Sequence, residues 1–140
     1  MDRAAVIDRY CEAWSEPDPH RRAELLASVW APNATYTDPT VHAAGVEELL
    51  SHIARVQARR PGAKVVRTSE LDEHHRVVRF AWHVLQADGT ALPEGLDIAF
   101  VSADGTKIER IIGFFGPLGA HGSVTRAPLA AECRPSEDFE

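Results

Sequence analysis

The chain has little cysteine, no long apolar run and no excess of positive charge, and each lack narrows what it does. Two cysteines in 140 residues, Cys11 in an expected helix and Cys133 near the C-terminus, build no disulfide framework and no metal-ligand spacing. Cys11 reads as a small core residue. No stretch approaches the roughly 18 consecutive apolar residues that a membrane helix needs. Met1-Asp2-Arg3 opens directly into helical pattern, without the apolar segment of a signal peptide. A formal net charge of −6 argues against nucleic acid or an anionic membrane as the main partner. The expected setting is the reducing cytoplasm. No pair of histidines has convincing metal spacing with a third ligand, so no metal is expected; no other cofactor is expected either.

What is present suffices for one globular domain, with 44% hydrophobic and 26% charged residues. From Asp2 to about Glu16, Val6, Tyr10, Ala13 and Trp14 recur at helical spacing. Pro17 and Pro19 break that helix. A second helix is expected from about His20 to Trp30, ended by Ala31-Pro32-Asn33, and a third from Gly45 to about Arg59, where Pro61-Gly62 stops it. Arg55, Arg59 and Arg60 near its end suit the helix dipole.

After Gly62 the period changes to two. Strands are expected from Lys64 to about Leu71, Arg76 to Gln86, Leu92 to Val101 and Lys107 to Phe115. Asp72-Glu73-His74-His75, Asp88-Gly89 and Asp104-Gly105 are read as the turns between them. Three helices followed by an antiparallel meander predict an α+β domain over residues 1–116. Residues 117–140 lack periodicity and are expected to form an extended or disordered tail.

Two aspartates carry the functional argument. Asp38 ends a short strand through Ala34-Thr35-Tyr36-Thr37, shares a face with Tyr36, and is followed by Pro39, which cannot donate to a ladder. Asp97 lies within Leu96-Asp97-Ile98-Ala99-Phe100-Val101, the most apolar strand of the chain. Alternation groups it with Ala99 and Val101, so it faces inward, where an acid must be hydrogen-bonded or neutral. A carboxylate base beside a C–H, with donors at the neighbouring carbonyl oxygen, is what enolate chemistry requires.

The segments Trp30-Ala31-Pro32-Asn33-Ala34-Thr35-Tyr36-Thr37-Asp38-Pro39, Phe80-Ala81-Trp82, Gly95-Leu96-Asp97 and Gly113-Phe114-Phe115 resemble the SnoaL-like branch of the NTF2-like superfamily. The resemblance covers about Asp2 to Gly116. It implies a cone in which three helices pack on a curved, mostly antiparallel sheet around an apolar pocket. Ketosteroid isomerases and polyketide cyclases are relatives of this kind. Against the isomerase, Asp38 matches the general base, Asp97 the oxyanion-hole acid and Tyr10 the oxyanion-hole tyrosine. The isomerase's second tyrosine, on its third helix, has no counterpart in residues 53–59.

The resemblance thus implies Asp38, Asp97 and Tyr10 as catalytic, with Trp14, Tyr36, His42, Phe80, Trp82, Val84, Ala99 and Phe115 binding substrate. Tyr36 is a candidate to supply the missing second donor. The expected ligand is a hydrophobic small molecule. His83, on the other strand face, is expected on the outer sheet surface, where the resemblance implies a homodimer contact. An epoxide hydrolase of the limonene type fits less well, because Arg79 is followed two residues later by Ala81 and not by aspartate. The alternative to an enzyme is a binding or assembly module built on the same cone.

Overall fold

The structure, a computed structural model, describes residues 2–122. Helix α1 (Arg3–Ser15) starts where the Asp2 side chain accepts a hydrogen bond from the Ala5 amide. Its far end is tied to the sheet, since the Val65 amide donates to Ser15 Oγ at 2.9 Å. Helix α2 (Pro19–Ala27) opens on an Asp18 cap with proline at its first position. Buried Arg22 donates back to the carbonyls of Glu16 and Pro17 and so fixes the loop between the two helices.

The second helix ends before the point expected from the sequence. Strand β1 (Trp30–Asp38) takes over, and Trp30 is its first residue. Two tertiary contacts account for the switch. The Trp30 indole stacks on Tyr10 at 5.7 Å, and Trp30 pairs with Ile108. Pro32 sits within the strand because the register shifts between Trp30 and Thr35, where no ladder amide is demanded. A hairpin turn at Pro39 and Thr40 leads into β2 (Val41–Ala44), a short strand the sequence pattern did not reveal. Helix α3 (Gly45–Arg59) follows, with Gly45 at φ 83° and Glu48 accepting from the Ala44 amide.

The remaining strands are β3 (Lys64–Arg67), β4 (Asp72–His74), β5 (Val77–Leu85), β6 (Gly95–Val101) and β7 (Ile108–Phe115). Residues 72–74 pair with β5 and are not a turn; the reversal falls on His75 and Arg76, both with positive φ. The sixth strand begins at Gly95 and not at Leu92.

The sheet runs β2-β1-β7-β6-β5-β3, with β4 also against β5. All pairings are antiparallel except β1 with β7, which is parallel. Bulge-type register shifts in β1 and at Phe100/Val101 bend the strands. This is the α+β architecture the sequence predicted; the described residues form its three helices and seven strands, two of them (β2 and β4) beyond those expected. The helices cover one sheet face, and Val6, Ile7, Leu26, Leu49, Ile53 and Ile111 are fully buried between the layers. Most of the expected tail, residues 123–140, lies outside the described residues.

Candidate functional site

Between the helical layer and the inner sheet face is a cavity of about 490 Å³, ample for a small molecule. Its floor is made of the buried residues Tyr10, Trp14, Tyr36, His52, Phe80 and Asp97. The exposed lining residues Thr40, Arg59, Arg60, Pro93 and Phe115 form its rim.

Asp97 is 5% exposed, in the inward-facing set Gly95, Asp97, Ala99 and Val101. Its Oδ1 accepts a hydrogen bond from Trp82 Nε1 at 2.9 Å. Two glycines make that arrangement possible. A Cβ on Gly95 would lie 2.3 Å from the Trp82 ring, so only glycine lets the indole lie across its cross-strand partner. A Cβ on Gly113 would lie 2.8 Å from Asp97 Oδ1 and 3.6 Å from Asp38 Cβ. Gly113 of β7 therefore leaves open the space that both aspartates border. Burial pushes the Asp97 carboxyl up to about 7; the charge of Asp38 adds to this and the Trp82 hydrogen bond opposes it.

Asp38, whose side chain is 4% exposed, has two differently occupied oxygens. Oδ1 closes the hairpin turn, accepting from the amides of Thr40 and Val41 and from the Thr40 hydroxyl. Oδ2 accepts from the Tyr36 hydroxyl at 2.6 Å and faces His52 Nε2 at 4.0 Å. The Tyr36 hydroxyl is thus spent on Asp38 and is not a free second donor. Burial, then the Asp38 bond, raise its pKa beyond any ordinary titration.

Tyr10 and Trp14 present the opposite condition. The Tyr10 hydroxyl and the Trp14 Nε1 are buried and make no well-aligned hydrogen bond among the described residues, although the indole lies close enough to the hydroxyl to oppose the rise in its pKa that burial causes. Both side chains line the cavity. An unpaired buried donor costs free energy that an oxygen-bearing ligand would return. Cys11 also borders the cavity, but burial pushes its thiol up, away from a reactive thiolate.

Among the other residues expected to touch substrate, Phe80, Trp82, Val84 and Phe115 line the cavity, the last half exposed at the rim. Two do not. His42 points to solvent from β2, where its Nδ1 lies 2.7 Å from the Thr37 hydroxyl; the intervening hairpin carries it off the pocket face. Ala99 is fully buried in the packed core and takes no part in the cavity wall.

Sequence reasoning passed over His52. It lies on α3, its side chain 8% exposed, edge-on to Trp14 at 5.6 Å and tilted against Tyr36 at 6.0 Å. Burial lowers its pKa, outweighing Asp38, with Arg55 and Arg59 acting in the same direction as burial. The clue was in the chain: Leu49, His52, Ile53 and Val56 follow the spacing of one helix face, and the histidine occupies an apolar register position.

No family model matches the sequence, and no curated protein does. Solved structures do match. A candidate isomerase of the SnoaL-like family from Agrobacterium tumefaciens is 28% identical, with a TM-score of 0.75 over 81% of this chain and 97% of that one. The chain has a SnoaL-like, NTF2-like fold. Two further likenesses support the fold alone. A candidate polyketide cyclase from Sinorhizobium meliloti is 15% identical (TM-score 0.61, 78% of this chain and 93% of the other). A protein of ketosteroid isomerase-like fold from Catenulispora acidiphila, solved with trimethylamine, is 14% identical (TM-score 0.62, 79% and 85%). Among the described residues of this SnoaL-like chain, no helix is long and apolar enough to cross a membrane.

Proposed function

We propose that the protein is a cofactor-independent acid/base enzyme that acts on a hydrophobic carbonyl compound through an enolate. One observation carries this reading: a buried carboxyl, Asp97, pushed up to about 7 by burial, shares an apolar cavity with a second carboxylate, Asp38, and with the Tyr10 hydroxyl, which has no partner among the described residues.

The division of labour follows from the environments. Asp97, neutral when protonated, keeps Oδ1 on Trp82 and has Oδ2 free to donate to a substrate oxygen. Tyr10 donates to the same oxygen and so satisfies its own hydroxyl. Negative charge developing there is stabilised without reorganisation. Asp38 Oδ2 takes the proton next to the carbonyl, while its Oδ1 bonds hold the side chain still. Returning that proton at a vinylogous carbon isomerises an enone; attack of the enolate on a second carbonyl closes a ring.

The non-catalytic reading, a cavity that only holds an apolar ligand, is favoured by one feature. Three hydrogen bonds from the hairpin give Asp38 a structural task that needs no chemistry. The test that separates the two follows conversion of a β,γ-unsaturated 3-ketosteroid to its conjugated isomer by ultraviolet absorbance, with Asp38→Asn as control. Turnover lost in the variant supports the enolate reading. Turnover that survives moves the base elsewhere, with His52 the next candidate. No turnover with this or any other enolisable ketone leaves the binding protein.

A further inference from the structure

The ends of the cavity differ in charge. The only carboxylates among its described lining residues are Asp38 and Asp97, at and beside the floor. Its rim carries two guanidinium groups, Arg59 and Arg60, in a chain whose formal net charge is −6. Arg55, one turn back on α3, lies near enough to act electrostatically on His52 together with Arg59. The helix dipole accounts for basic residues at a helix end. It does not account for side chains that border a cavity at a rim with no carboxylate among its described residues.

Among the described residues, neither Arg59 nor Arg60 has a carboxylate within ion-pair distance. Instead Arg60 Nη1 donates to the neutral Gln86 Oε1 at 2.8 Å, and Gln86 is itself held by the Thr90 hydroxyl. That bond orients the guanidinium without neutralising it. Between rim and floor the wall is apolar, with Val56, Val65, Val84 and Leu92.

We propose that the cavity takes an amphiphilic ketone whose apolar body bears an anionic group at the end remote from the carbonyl, with Arg59 and Arg60 binding the anion. The position of the carbonyl rests on the enolate reading above; the anion site does not. A carboxylate and a phosphate satisfy two guanidinium groups equally well. Either also holds the carbonyl end at the floor, away from the rim.

The test uses two fluorescent probes of nearly the same aromatic body, anionic 8-anilinonaphthalene-1-sulfonate and neutral N-phenyl-1-naphthylamine. Both are titrated into the wild-type chain, the Arg59→Gln/Arg60→Gln variant and the Arg59→Lys/Arg60→Lys variant. Two exposed cation–anion contacts predict that the glutamine pair weakens the sulfonate about five- to tenfold. The neutral probe is expected to be unaffected and the lysine pair to restore most of the difference. Raising ionic strength is expected to weaken the sulfonate alone. Displacement by dodecanoate or by dodecyl phosphate then tells which anion fits better.

An unchanged sulfonate affinity, an equal loss for both probes, no sulfonate binding to the wild type, or displacement by neither anion overturns the proposal. None of these readouts needs turnover. A protein inert on every ketone that still discriminates the probes refutes the enolate reading and leaves the anion site standing.

Discussion

Asp97 and Gly113 face each other across the β6–β7 ladder, and Asp97 Oδ1 occupies the space a side chain on Gly113 would fill. Gly113 has no positive φ, so alanine there is a purely steric change. Gly113→Ala is expected to displace the Asp97 carboxyl and lower stability by about 1–3 kcal/mol. Urea unfolding measures the loss. A variant as stable as the wild type would mean that the carboxyl has room the geometry does not show.

Asp97 also predicts an unusual dependence of stability on pH. Its carboxyl is raised to about 7 by burial, against about 3.9 in an unfolded chain. Between those values the native protein holds a proton that the unfolded chain has released. The contribution is therefore fully present below pH of about 4, lost as pH rises through 7, and flat above. From pH 5 to 8 the difference between the wild type and Asp97→Asn is expected to change by on the order of 2–3 kcal/mol. Unfolding of both proteins across that range checks it. Parallel curves would show that the carboxyl is ionised throughout.

His52 contributes with the opposite sign. Its pKa is lowered by burial, so below about 6.5 the unfolded chain accepts a proton before the native one does. Stability from this group is present above that pH and falls as the solution is acidified. His52→Phe, which keeps the stack on Trp14 and Tyr36, is expected to unfold less readily than the wild type as pH drops from 7 to 5.5. Equal acid sensitivity of the two proteins would contradict a desolvated imidazole.

Tyr10→Phe separates stability from activity. The hydroxyl is buried without a hydrogen-bond partner among the described residues, so its removal is expected to leave stability unchanged or raise it by about 1 kcal/mol. If it donates to a substrate oxyanion, turnover falls by about a hundredfold. Urea midpoints and rates on one preparation measure both. A destabilised variant would mean that the hydroxyl is satisfied by a bond the structure does not contain.

The order of the three helices and the longer strands was legible because helix amphipathicity and strand alternation are properties of the one-dimensional chain, whereas the short strands β2 and β4 carry too few residues to show a period. Val6, Tyr10 and Trp14 mark α1 whatever they pack against. The inward orientation of Asp97 followed from its place between Gly95 and Ala99 on an alternating strand. Glycine and proline at the turns bounded the elements for equally local reasons.

Tertiary structure alone decided what depends on which elements meet. Trp30 leaves the helix because Tyr10 and Ile108 offer it a stack and a parallel ladder, and neither neighbour is adjacent in sequence. His42, four residues after Asp38, is turned outward by a hairpin, while His52, fourteen residues after it, is brought to 4.0 Å from its carboxylate. Arg59 and Arg60 look like ordinary helix-end charges until β5 and the turn after it close the cavity beside them. Local pattern determined the helices, the longer strands and their inner faces; the burial of two aspartates around one glycine, and the charge at the rim, exist only once the sheet and the helices have packed.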